Sequence, residues 1–156
     1  MNTIRIQLEY KWVPFKVNSR HLIFHEYEND DIKIEKGKCS HWGAVIYKWE
    51  GKIIKGINKG KIGILIGETD DIRARLNQYK SGQQKRGNKY WREAFLRKGR
   101  ISLWVLDIKK CVVNDKTINF NQKIKRKNFR LVLEQLLVID LLDKCDQSKT
   151  WIVNKI

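Results

Sequence analysis

Asp71, Arg75 and Tyr79 recur every fourth residue, and that spacing sets all three on one face of a helix. An arginine there can hold out a fixed fork of donors beside a phenol. A guanidinium suits the charge of a phosphate in a pentacovalent transition state. The competing reading of Arg75 is a surface ion pair with Asp71, which would contribute little. Glu134 is the second residue with chemical content. It lies in the middle of a segment from Phe129 to Leu142 that is apolar on almost every side, through Leu131, Val132, Leu133, Leu136, Leu137, Val138, Ile139 and Leu141. A helix of that kind is expected to be buried all round. Its carboxylate then needs a partner or a metal ion, because an unpaired buried charge is costly. Asp140 on the same helix is the rival ligand. Tyr47 lies in a strand-like run and is either a core tyrosine or a proton acceptor. In the second role it needs a neighbouring cation.

The charge around these residues names a class of partner. The chain has 156 residues, with 33 Lys and Arg against 17 Asp and Glu, for a formal net charge of +16. Solubility needs far less, and the excess points to a polyanion. Between Arg73 and Arg100 the only acid is Glu93, and Tyr79, Tyr90, Trp91 and Phe95 are interleaved with the basic residues. Arg73, Lys80, Lys85, Arg86, Lys89 and Arg92 are the candidate phosphate contacts, acting by counterion release. Trp91 and Phe95, four apart, suit a core face better than a base-stacking role. Lys123, Lys125, Arg126, Lys127 and Arg130 form a second basic cluster.

The elements that must hold these residues follow from periodicity and breakers. Residues 1–156 read as a single domain, with 1–40 an N-terminal extension and 43–142 the core. Ile4, Ile6 and Leu8 alternate as in a half-buried strand, and His21 to Tyr27 is a weaker strand candidate. Ala44 to Trp49 and Ile62 to Gly67 read as a hairpin joined by a Gly- and Lys-rich connection. A helix capped by Thr69 or Asp70 follows, running to about Tyr79. A second helix is expected over Asn88 to Arg97, a third core strand over Ile101 to Ile108, and a basic insertion or hairpin over Lys109 to Lys127. The last helix spans Asn128 to Leu142. Periodicity alone gives a mixed α/β chain. No apolar run approaches membrane-spanning length. The start lacks the apolar core of a secretory signal. Cys39, Cys111 and Cys145 show no paired zinc spacing. Reduced thiols and a cytoplasmic location are expected. His21, His25 and His41 lack the further ligands of a zinc site.

Val45-Ile46-Tyr47 resembles the first half of the GIY-YIG nuclease motif, and Leu65-Ile66-Gly67 resembles the second. The stretch from Gly67 to Leu76 resembles that family's turn into its first helix. The resemblance spans about Gly43 to Leu142. It implies an α/β fold with a small three-stranded antiparallel central sheet flanked by helices. It places Arg75 at the family's catalytic arginine, Tyr79 where members carry histidine or tyrosine, Tyr47 at the first motif tyrosine and Glu134 at the metal-binding glutamate. Val45 replaces the first motif glycine, and Leu65 replaces the second tyrosine. Lys61 is a candidate substitute for that lost hydroxyl, since residues 61, 63 and 65 of a strand share a face.

The implied activity is metal-dependent hydrolysis of a DNA phosphodiester, with one Mg2+ or Mn2+ on Glu134. Size and decoration most resemble a type II restriction endonuclease. Such an enzyme would act on double-stranded DNA as a homodimer, matching a palindromic site. A cognate methyltransferase for the same site would be a further partner. Two other readings stay open. One is a catalytically inactive nucleic-acid-binding module of the same fold, and the other is a basic structural nucleic-acid-associated protein.

Overall fold

The computed structural model describes residues 1–81 and 94–154. Three strands form its centre. β4 (Val45–Ile53) and β5 (Ile62–Thr69) make the expected hairpin, in register from Val45 opposite Thr69 to Lys52 opposite Ile62. β6 (Gly99–Val113) pairs antiparallel with the other edge of β4, Tyr47 facing Val105. Alternation along β4 sends Tyr47 and Trp49 to one face and Ile46 and Lys48 to the other.

Each face carries its own apolar cluster. On the first, Tyr47, Trp49, Leu65 and Leu103 pack against Leu76 and Tyr79 of helix α2 (Ile72–Ser81) and against Phe24 and Tyr27. On the second, Ile46, Ile64, Ile66 and Leu106 meet Leu133, Leu137 and Val138 of the last helix, Lys127–Lys144. The sheet is therefore a wall with α2 on one side and the last helix on the other.

The sheet is larger than the three strands expected. It has six, in the order β1-β6-β4-β5-β8, with β7 (Lys116–Thr117) also on β6. β1 (Ile6–Pro14) pairs with β6 from Ile6 opposite Val113 to Pro14 opposite Trp104. The first forty residues are thus partly a structural strand rather than only an extension. β8 (Thr150–Ile152) adds parallel to β5. Long-range pairing made both additions, and local periodicity does not report it. β2 (Lys16–Val17) and β3 (Arg20–His21) form a separate two-stranded hairpin.

Two further expectations are corrected. The strand expected from His21 to Tyr27 is mostly helix α1 (Phe24–Asn29), whose Phe24 and Tyr27 are buried. Those two side chains are three apart, so one helical turn delivers both to the first-face cluster. The last helix is not buried all round: Leu131, Val132 and Ile139 are 39%, 54% and 53% exposed. The expected region from Lys109 to Lys127 resolves into the end of β6, a tight turn at Asn114–Asp115 with positive φ at both residues, β7, and a short helix α3 (Phe120–Lys123). The last helix is α4. No helix among the described residues is long and apolar enough to cross a membrane, and the three cysteines are free thiols.

Beyond β8 the pairing of β5 is continued by a side chain. Asn154 accepts from the Ile66 backbone N–H at 2.8 Å and donates to the Ile66 carbonyl at 2.7 Å. A buried hydrogen bond is worth about 1 kcal/mol net, and an orphaned backbone group costs more. Asn154→Ala should therefore lower the unfolding free energy by about 1–3 kcal/mol in a urea titration; an unchanged midpoint would mean that water replaces the amide without cost.

Candidate active site

Gly67 makes the floor of the site. It lies opposite Tyr47 in the β4–β5 register, and a Cβ there would collide with the Tyr47 ring. Glycine lets the tyrosine lie flat across the neighbouring strand. The phenol then reaches helix α2.

That helix begins at a fixed point. The Asp71 carboxylate accepts from the N–H groups of Arg73 and Ala74 at 2.9 and 3.3 Å, the work of an N-cap residue. The cap is therefore Asp71, one or two residues later than expected. Thr69 supports it, accepting from the Asp71 N–H at 3.1 Å. Asp71 thus serves the helix end, the role its carboxylate takes at the start of α2.

From that start, Arg75 and Tyr79 arrive one turn apart above Tyr47. The Tyr47 and Tyr79 hydroxyls share a hydrogen bond of 2.8 Å, and Arg75 Nε donates to the Tyr47 oxygen at 3.0 Å. The guanidinium lies over the Tyr79 ring, 5.4 Å from its centroid. Arg75 Nη1 also donates to Gln78 Oε1 at 3.1 Å. Tyr79 stands edge-on to both Tyr47 and Trp49, an arrangement that aromatic quadrupoles favour. Tyr47 is 1% exposed and Tyr79 4%, whereas Arg75 is only partly buried. The arginine is accordingly the member of this group that meets solvent.

Glu134 comes from the helix on the other face of the sheet. It lies on α4, 7% exposed, with the cluster on the second face of the sheet. Both faces draw on β5, through Leu65 on the first and Ile64 and Ile66 on the second. Gly67 floors the tyrosines, and its neighbour Glu68 turns the other way to accept from Arg130 Nε at 2.6 Å. Arg130 is one turn before Glu134 and is 3% exposed. Its Nη1 donates to the carbonyls of Ile124 and Lys125, both at 2.9 Å. This buried pair bolts α4 to β5 and fixes the height of Glu134 over the sheet. Periodicity could not have found it, since Glu68 and Arg130 belong to elements 62 residues apart in sequence. Asp140, the rival ligand, is engaged elsewhere. It accepts from Tyr10 at 2.7 Å and from Lys144 at 2.8 Å. Lys144 first and then Tyr10 hold its carboxyl below the usual range. Burial, with the Asp140 carboxylate beside it, pushes the Tyr10 phenol up to about 12. The pair works as a tie between β1 and α4.

Lys61 does not reach the tyrosines. It precedes β5, where its carbonyl accepts from Ile53. Six residues separate it from Gly67, about 20 Å along a strand. Lys61 lies outside the strand, so the alternation expected of 61, 63 and 65 begins only at Gly63, and the Lys61 backbone is distant from the tyrosine floor. Leu65, at the position of the lost hydroxyl, is 1% exposed and opposite Trp49; packing occupies that place. Arg73 is exposed on α2. Lys80 donates to the Asp30 carbonyl at 3.1 Å and covers the Tyr27 ring at 5.0 Å, so it braces α1. Lys85, Arg86, Lys89 and Arg92 lie outside the described residues, as do Trp91 and most of the helix expected over Asn88 to Arg97. Of its described end, Ala94 is helical and Phe95–Arg97 form a 3-10 turn, with Phe95 fully buried.

Among the described residues no three His, Cys, Asp or Glu side chains gather as a metal cluster. Comparison with known families, curated proteins and solved structures returned no match.

Breaking a buried ion pair from one side leaves the other charge stranded. Arg130→Met should cost about 3–5 kcal/mol, and adding Glu68→Leu should recover much of that loss. Denaturant unfolding of the two single variants and the double would give the coupling; additive losses would mean that the pair is not a bolt.

Proposed function

We propose that this chain is a metal-dependent endonuclease of the GIY-YIG type, acting on double-stranded DNA as a restriction enzyme does. The observation that carries the reading is the contact of Arg75 with two phenols, Tyr47 and Tyr79, joined hydroxyl to hydroxyl under a guanidinium. A tyrosine pair buried only for packing does not need a cation at its oxygens. A pair that must handle a proton beside a phosphate does.

In this reading Arg75, the partly open member, receives the scissile phosphate and stabilises charge as it develops on the phosphoryl oxygens. Tyr47 and Tyr79 orient the attacking water, whose proton passes along their shared hydrogen bond, each hydroxyl handing on its own proton as it takes up the next, and leaves to solvent. The water oxygen forms the new bond to phosphorus as the bond to the leaving oxygen breaks, and the leaving oxygen takes a proton from solvent. Glu134 would hold the single Mg2+ or Mn2+, which when bound supplies Lewis-acid neutralisation of the phosphate. Support for that role comes from the position of Glu134 next to the Glu68–Arg130 bolt, on the same stretch of β5 as the tyrosine floor. β8 ends opposite Ile64, and Asn154 covers only Ile66. Among the described residues no strand pairs with the outer edge of β5 from Gly67 to Thr69, where the two faces of the sheet adjoin. The net charge of +16 supplies the attraction for a polyanion. A palindromic site asks for two copies.

One observation favours a second reading. Leu65 packs where the motif carries a hydroxyl, and the same fold without that group could bind DNA and leave it intact.

Long duplex DNA incubated with magnesium should give discrete fragments, and a chelator should abolish them. Arg75→Ala and Glu134→Ala should each reduce cleavage by about 100-fold or more and leave binding largely intact. Lys61→Ala should cut at the normal rate. Full cleavage by either of the first two variants would overturn the site; binding with no cleavage by the unaltered protein would select the second reading.

A further inference from the structure

The outer side of α4 is unusual for a helix at a protein surface. Val132, Leu136, Ile139 and Asp143 follow at spacings of four, three and four, so they form one stripe. Val132 and Ile139 are about half exposed. The stripe borders an apolar groove of about 750 Å3, whose other wall includes Ile6, Val113 and Ile118. The two ends of this face carry opposite charge. Lys123 and Arg126 line the groove at the helix N-terminus, with Lys125 and Lys127 beside them. Asp140, Asp143 and Asp146 mark the C-terminal end, where Lys144 pairs with Asp140 and Lys149 lies 3.9 Å from Asp146. Asp140 is shared by Tyr10 and Lys144, which leaves Asp143 as the exposed carboxylate of the stripe.

We propose that two copies of this chain pair through this face, their α4 helices antiparallel across a two-fold axis near Leu136. The stripe is centred close to the middle of Lys127–Lys144, so a two-fold there sets Val132 of one copy against Ile139 of the other. The same operation brings the N-terminal cations of each copy to the C-terminal carboxylates of its partner, twice over. A parallel pairing would set like charges together. A duplex would be drawn to the cations but repelled by Asp143 and offered an apolar stripe with nothing to contact. An acidic partner protein would meet the same carboxylate. Self-pairing satisfies both ends and covers the apolar middle. The need for a dimer rests on the restriction-enzyme reading; the evidence for this surface is the helix itself.

Sedimentation equilibrium of the full chain, without DNA, tests the face directly. The unaltered protein should be a dimer at micromolar concentration. Val132→Asp and Ile139→Asp should be monomers with unchanged circular dichroism, because both positions are already exposed. Arg126→Glu and Asp143→Arg each turn two attractions into two repulsions and should weaken association by roughly tenfold or more. An equimolar mixture of those two variants should recover it, since the mixed dimer has an attractive pair at both ends. A monomeric unaltered protein at about 100 μM overturns the proposal, as does a mixture that fails to recover. A dimer that never cuts DNA would refute the nuclease reading and leave this surface standing, whereas a monomer that cuts would do the reverse.

Discussion

Everything near the candidate site depends on the fit of the Tyr47 ring over Gly67. The absence of one Cβ lets a phenol from β4 cross the neighbouring strand, and α2 then closes over it through Tyr79 and Arg75. The hydroxyls lie under almost complete burial, where an unmatched polar atom is costly. The three side chains therefore hold one another in place, and α2 cannot turn on its axis without stranding a phenol. Asp71 sets the start of the helix and so decides which turn carries the guanidinium. A capping residue that never touches the tyrosines thus fixes the geometry of the group that does.

The sheet divides the chemistry between its faces. Aromatic side chains dominate the first face, where Trp49, Phe24, Tyr47 and Tyr79 meet edge-on. Aliphatic packing dominates the second, interrupted by the buried pair of Glu68 and Arg130. Such a pair adds little net stability compared with an apolar replacement, but it is demanding in geometry. Its effect here is to register α4 against β5. Adjacent residues of β5 thus serve opposite purposes, Gly67 by having no side chain and Glu68 by having a charged one.

The central hairpin, β6, α2 and α4 were legible from period and punctuation, because each buries one consistent face. Arg75 and Tyr79 were legible as a pair from their spacing, and the resemblance drew attention to Tyr47. Other features depend on partners far away in sequence. β1 and β8 carry ordinary strand signals, but nothing local says which edge they join. Phe24 and Tyr27 alternate well enough with polar neighbours to suggest a strand, yet a six-residue helix fits them into the core. Lys61 shows the limit of an alternation argument: parity gives the face of a strand, and only register gives the position along it. The apolar look of α4 overstated its burial because residue type does not distinguish a core contact from a surface stripe.

The length of β6 has a consequence for how the chain comes to be folded. β1 leaves the ribosome well before its partners in β6, which lie roughly 90 to 110 residues further on. At synthesis rates of about 5–20 residues per second, β1 waits on the order of 5–20 seconds for a strand to pair with. Ile6, Leu8, Tyr10 and Trp12 would be an adhesive edge during that interval. Glu9 and Lys11 alternate with them, and charges on the exposed side of a waiting strand discourage pairing with a wrong neighbour. The high sequence separation of this contact also makes it slow to close once both strands exist. β1 is therefore expected to be among the last strands to dock, and a rearrangement that joined it directly to β6 should fold faster without altering the final sheet.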